Sequence, residues 1–145
     1  MKVLIIGFGS IGKRHYDVLS QLSEVQNIDL VTKQNIENIV CYINLEVIKN
    51  IEEYDYFVIA SETNKHFEQL KFLEENVKNK LIFCEKPLFQ SKQDIEIKNN
   101  IVFVGYVLRF HPLLEKLKEF VKNENIILVN AKCGQYLPSW RPNTD

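Results

Sequence analysis

The sequence has no long apolar run. Its hydrophobic stretches fall well short of the roughly 20 residues a membrane-spanning helix needs, so no membrane partner is expected. The apolar run after Lys2 is only Val3 to Ile6 before Gly7 interrupts it, too short for a secretory signal. Cysteine is scarce and poorly placed for pairing: Cys41, Cys84 and Cys133 are odd in number, far apart and form no C-x-x-C. That argues against a disulfide framework and a zinc site, and for reduced thiols in a cytoplasmic protein. Cys84, inside the apolar "LIFCEK", is expected to be a packing residue. A net charge near −1 gives no long-range attraction for nucleic acid. With only 5 Gly and 4 Pro in 145 residues, no low-complexity tract or flexible linker interrupts the chain.

What the sequence does contain is that of one globular domain, 46% hydrophobic and 26% charged. Six short runs rich in Val, Ile, Phe and Tyr recur: "KVLII", "IDLVT", "YDYFVIA", "KLIFC", "IVFVGYV" and "NIILVNAKC". Most are continuous rather than alternating, as in strands covered on both faces. A further short strand is expected near Val40 to Tyr42, followed by a short helix. Between the runs lie helical stripes: Ile11, His15, Val18, Leu19 and Leu22; Phe67, Leu70, Leu73 and Val77; Leu113, Leu114, Leu117, Phe120 and Val121. Alternating strand and helix predicts a doubly wound, three-layer αβα Rossmann-type fold with strand order 3-2-1-4-5-6. Residues 1–133 form this domain, and "GQYLPSWRPNTD" (134–145) reads as a connection leaving it.

The chemistry concentrates in "GFGSIGKRH". Gly7, Gly9 and Gly12 make G-x-G-x-x-G, while Gly7, Gly12 and Lys13 also satisfy G-x-x-x-x-G-K. The triphosphate loop needs Ser or Thr after its lysine to bind magnesium, and Arg14 stands there instead. Gly9 is idle in that loop but required in the dinucleotide turn, where it lets backbone amides approach a pyrophosphate. Ser10 and Ile11, at the helix start, join the glycines as phosphate-binding candidates. The second strand ends in Thr32 and Lys33, with no acid for a ribose 2′-hydroxyl, and Asp29 is too early to serve. A hydroxyl followed by a cation leans the reading towards NADP over NAD, with Arg14 as a second cation. A solvated surface role for Lys33 and Arg14 stays open.

With these motifs the chain resembles the N-terminal domain of the Gfo/Idh/MocA oxidoreductases. The resemblance rests on "GSIGKRH", "ASETNKH", "CEKP" after the fourth of the six runs, and "GYVLRFHP". It implies hydride transfer between a nicotinamide cofactor and a secondary alcohol of a sugar-like or nucleotide-sugar substrate. It further implies Lys86 as the catalytic residue and Glu85 and Lys86 beside the nicotinamide, with the Lys86–Pro87 bond often cis in relatives. Ser61, Thr63, Asn64 and His66 are candidates for the cofactor crevice, Thr63 or Asn64 also for capping the next helix and His66 also for packing. Arg109 is a candidate anchor, His111 reads as a helix start, and Trp140 and Arg141 resemble a segment that folds back near the nicotinamide. "SETN" lacks the proline usual in relatives. Those also carry a second domain for substrate and oligomerisation, so 145 residues alone are expected to bind cofactor and turn over sugars poorly. A non-catalytic NAD(P)-binding or regulatory module is the alternative. A methyltransferase or a Tyr-x-x-x-Lys epimerase fits less well, since no Tyr here has Lys four residues later.

Overall fold

The computed structural model describes residues 1–132, which fall into two units, Met1–Tyr106 and a second beginning at Val107. The first holds a six-stranded sheet. Its strands are β1 (Lys2–Ile6), β2 (Asn27–Val31), β3 (Cys41–Tyr42), β4 (Tyr56–Ile59), β5 (Leu81–Cys84) and β6 (Ile101–Val104). Every pairing is parallel, in the order β3-β2-β1-β4-β5-β6. This is the expected Rossmann order, although the strands filling it differ from the six runs. Cys41–Tyr42 takes the edge place, and residues 126–132 of "NIILVNAKC" form no strand. "CEKP" therefore follows the fifth strand.

The inner apolar runs become strands because both sheet faces are covered there, whereas at edge strand β6 Ile101 and Phe103 stay exposed. Val3 and Ile5 point into one core with Phe8, Leu19, Leu30 and Val58. Leu4 and Ile6 point into the other with Phe57, Ile59, Leu70 and Leu73. Helix α1 (Ser10–Leu19) serves the first face and α2 (His66–Asn76) the second. In α2 the expected stripe holds: Leu70, Leu73 and Val77 are buried, and Phe67 meets Phe89 edge-on. In α1 it is rotated. Gly12, His15, Tyr16 and Leu19 face inward, while Ile11 and Val18 are exposed, Val18 by 56%, and Leu22 is exposed beyond the helix end. The glycine decides this, because the helix touches the sheet where no side chain stands, and positions 12, 15, 16 and 19 share that face.

The connection from β5 to β6, residues 85–100, carries no helix. Leu88, Phe89, Ile95 and Ile97 pack on the α2-side core instead. Its far end is fixed by buried Glu74, whose Oε1 accepts from the Lys98 and Asn99 amides at 2.7 and 2.6 Å, and whose Oε2 accepts from Asn100 Nδ2 at 2.8 Å. Burial raises the Glu74 pKa, but these three donors outweigh it and hold the carboxyl below the usual carboxylate value.

In the second unit, α3 (Pro112–Phe120) begins as expected: His111 is its N-cap, its Nδ1 accepting from Leu113 N at 3.2 Å, with Pro112 at the first helical position. Leu113, Leu114, Leu117 and Phe120 are all exposed, so among the described residues this stripe covers no core. Arg109 lies in a 3-10 turn of the same unit, Val107–Phe110. Cys133, Trp140 and Arg141 lie outside the described residues.

Candidate functional site

Strand β1 ends in a turn that only glycines allow. Gly7 has φ +94°, and a Cβ there would lie 2.6 Å from the backbone of Ser61. A Cβ on Gly12 would lie 2.1 Å from the Gly7 carbonyl oxygen, so helix and turn meet at backbone contact. Gly9 is the opposite case, with nothing within 4 Å of where its side chain would project. It is also the N-cap of α1, with no side-chain cap and no acidic residue in the first turn. The first amides of α1 are therefore left without side-chain partners at the positive end of the helix dipole, facing open space.

That space is a cavity of about 710 Å³ along the C-terminal ends of β1, β2 and β4, within the range of small-molecule sites. Gly7, Gly9, Ser10, Ile11, Thr32, Lys33 and Ser61, all sequence candidates, line it. Thr32 Oγ1 accepts from the Gln34 amide at 3.1 Å, and Gln34 Nε2 donates to the Phe8 carbonyl at 2.9 Å, tying the end of β2 to the glycine turn. Ser61 Oγ donates to Gln69 Oε1 at 2.6 Å. Glu62 pairs with Lys65 at 2.8 Å on the rim, and that bond, with a smaller contribution from Lys33, holds its carboxyl below the usual value.

Other candidates stand elsewhere. Arg14 is exposed on α1, away from the lining. Thr63 and Asn64 form a 3-10 turn running straight into α2, so Lys65 takes the N-cap position and neither residue caps the helix. His66 is buried rather than facing the cavity; its ring nitrogens meet the carbonyls of Ser61 and Pro87, each at 3.1 Å, bridging the loops after β4 and β5. Asp29 is buried between Tyr54 Oη at 2.5 Å and Asn27 Nδ2 at 2.8 Å, in the middle of β2 and two residues before its end. Burial, then the bond to Asp29, pushes the Tyr54 phenol above its ordinary pKa. Cys84 is fully buried, and burial followed by the Glu85 charge pushes its thiol up to about 12, far from a reactive thiolate.

Glu85 and Lys86 follow β5, joined to Pro87 by a cis peptide bond. His15 Nε2 lies 2.8 Å from Glu85 Oε1, and the His15 ring meets Phe83 edge-on at 5.2 Å. The sequence placed both residues in motifs but gave no sign that they meet. It also missed Gln34, Asn44, Glu46, Gln69 and Phe72 of the lining. Gln34 was findable as the continuation of the β2 loop, and Gln69 as the residue one turn into α2. The irregular segment holding Asn44 and Glu46 has no periodic signal.

The residues present fit a dinucleotide: an open, uncapped helix start beside a cavity at the C-terminal sheet edge. Comparison with known proteins agrees. Residues 1–106 match the family model described as oxidoreductase family, NAD-binding Rossmann fold. A comparison with curated proteins finds no match. Among solved structures, myo-inositol 2-dehydrogenase from Lactobacillus plantarum superposes with TM-score 0.68 at 21% identity, over 85% of this chain and 41% of that one. A probable dehydrogenase from Thermotoga maritima gives 0.63 at 26% identity over 85% and 41%. The WlbA dehydrogenase from Thermus thermophilus, in complex with NAD and UDP-GlcNAcA, gives 0.67 at 20% identity over 87% and 48%. The chain thus spans less than half the length of each of these proteins. From the glycine turn to the strand that ends before Gly105, the chain belongs to the Gfo/Idh/MocA oxidoreductases, as the NAD-binding Rossmann domain of that family.

Proposed function

We propose that this domain holds NAD(P) for an oxidoreductase acting on a secondary alcohol of a sugar-like or nucleotide-sugar substrate. One observation carries the cofactor reading: the empty approach to Gly9 at the uncapped start of α1. In this reading Gly7, Gly9, Ser10, Ile11 and Gly12 form the pyrophosphate turn. Thr32 and Lys33 face the adenosine ribose, Ser61 the middle of the crevice, and Glu85 and Lys86 the nicotinamide end. Arg14, Thr63, Asn64 and Arg109 remain outlying candidates. The bound nicotinamide supplies the hydride-accepting carbon. Lys86 would hold the substrate hydroxyl and stabilise its developing negative charge through a fixed ammonium. The myo-inositol dehydrogenase and the UDP-GlcNAcA complex among the structural neighbours support the substrate class.

Residues 1–133 serve as the cofactor domain, with 134–145 leading towards a substrate and oligomerisation domain. We place the whole protein in the cytoplasm as a homo-oligomer without nucleic-acid or membrane partners. No helix among the described residues is long and apolar enough to cross a membrane.

For the cofactor we propose NADP over NAD, on the strength of Lys33 at the end of β2. Glu46, Glu62 and Glu68 share the lining and oppose it, so the preference is small. An exposed charge contact of about 0.2–1 kcal/mol corresponds to no more than about five-fold in affinity. Fluorescence titration with NADH and NADPH separately tests the reading. Saturable binding of either is expected, and binding of neither overturns it.

A further inference from the structure

The cofactor reading above assigns a place to Lys86 but nothing that holds it there. Lys86 is exposed and lies past the end of β5. The residue before it is anchored on several sides. The Glu85 amide donates to the Ile59 carbonyl at 2.9 Å, continuing the sheet. Glu85 Oε1 receives His15 Nε2 at 2.8 Å, and Oε2 receives the Lys86 amide at 3.2 Å. The orientation of the peptide leading into Lys86 is therefore tied to the same carboxylate that His15 grips. Gly105 leaves room for it: a Cβ there would lie 3.2 Å from Glu85 Oε2 and 3.1 Å from Phe83 Cζ.

His15 is itself fixed. It sits on the inward face of α1, its ring edge-on to Phe83, which projects from the same face of β5 as Glu85. The two side chains are only 23% and 14% exposed, so water screens the contact weakly. Helix α1 is also the element whose first turn opens on the cavity. One hydrogen bond thus spans the helix carrying the phosphate turn and the strand end carrying the lysine.

We propose that His15 is a positioning residue for Lys86, acting through Glu85 to hold the lysine in register with the phosphate-binding helix. A contact internal to the protein of this kind acts by preorganisation: binding does not have to order the 85–86 peptide. The inference rests on the proposed cofactor role, and its effect belongs to the nicotinamide half of the cofactor alone.

The test compares NADH with ADP, which lacks that half, in fluorescence and calorimetric titrations of the full 145-residue chain. His15→Leu is expected to weaken NADH about tenfold while leaving ADP within twofold. His15→Gln, whose amide can still donate to Glu85, is expected to restore NADH to within threefold of the unmodified chain. If His15→Leu does not fold, His15→Asn replaces it, since its amide is too short to reach. Equal losses for NADH and ADP, no loss for either, or failure of His15→Gln to rescue would each overturn the proposal. An unmodified chain that binds ADP but not NADH overturns it as well. One that binds neither overturns the cofactor reading and this inference together.

Discussion

The connections that leave β1 and β5 are built on opposite principles. The β1–α1 turn works by missing atoms: Gly7 and Gly12 bring backbone against backbone, with no charged side chain involved. The β5–β6 connection works by an added charge. It has no helix of its own, and the Glu74 carboxylate from α2 satisfies two amides and a side-chain amide at its far end. A turn made by sterics is indifferent to pH and, at Gly7 and Gly12, intolerant of a single methyl group. A connection pinned by a carboxylate tolerates added volume but depends on ionisation.

The largest expected effect is on the steric side. Gly12→Ala places a methyl 2.1 Å from a backbone oxygen that no side-chain rotation can relieve. A loss of about 3 kcal/mol or more is expected, equal at pH 7 and pH 4, measured by urea unfolding. An alanine variant as stable as the parent would remove the contrast. On the electrostatic side, Glu74→Ala strands three donors and is expected to cost about 2–3 kcal/mol at pH 7. Because the folded pKa of Glu74 lies below its ordinary value, this contribution is complete above the unfolded pKa and is lost as pH falls through the folded one. The gap in urea midpoint between parent and Glu74→Ala should therefore shrink on acidification below about pH 4.5. A gap that holds constant to pH 3 would contradict this.

Gly9→Ala separates folding from binding within the glycine turn itself. Its Cβ meets nothing within 4 Å, so the unfolding free energy from urea titration should stay within about 1 kcal/mol of the parent, the small N-cap preference for glycine over alanine included. NADH affinity should fall more than tenfold, as the methyl occupies the space proposed for the pyrophosphate. A stable variant with undiminished affinity would show that the open space serves no ligand. The smallest effect is expected of Lys33→Glu, which should weaken NADPH relative to NADH by about two- to five-fold and leave the melting temperature unchanged. An unchanged ratio would withdraw Lys33 from cofactor selection.

The steric connection was legible in the amino-acid order and the electrostatic one was not. Three glycines at fixed spacing after an apolar run imply a backbone shape whatever surrounds them. Glu74 looks like any acid on a helical face, and its role depends on where residues 98–100 return. The same division runs through the strands. β1, β2, β4 and β5 announced themselves as continuous apolar runs, since both of their faces are covered, and β6 reads the same way although Ile101 and Phe103 are exposed. The two-residue β3 was discernible only as an approximate position. Residues 126–132 carry the same composition as a strand but form none. In α1 the apolar count pointed to Ile11 and Val18, and the close approach at Gly12 turned the helix away from both.

By itself, then, the order of residues determined the parallel α/β architecture, the glycine turn and the family, because these follow from local periodicity and backbone freedom. Tertiary structure alone decided which face of α1 is buried, that Asp29 and His66 turn inward, and that His15 meets Glu85 across 70 positions of chain. The physical reason is range. Periodicity and φ preferences act over a few residues, whereas hydrogen bonds between distant side chains exist only after the sheet has brought their strands together.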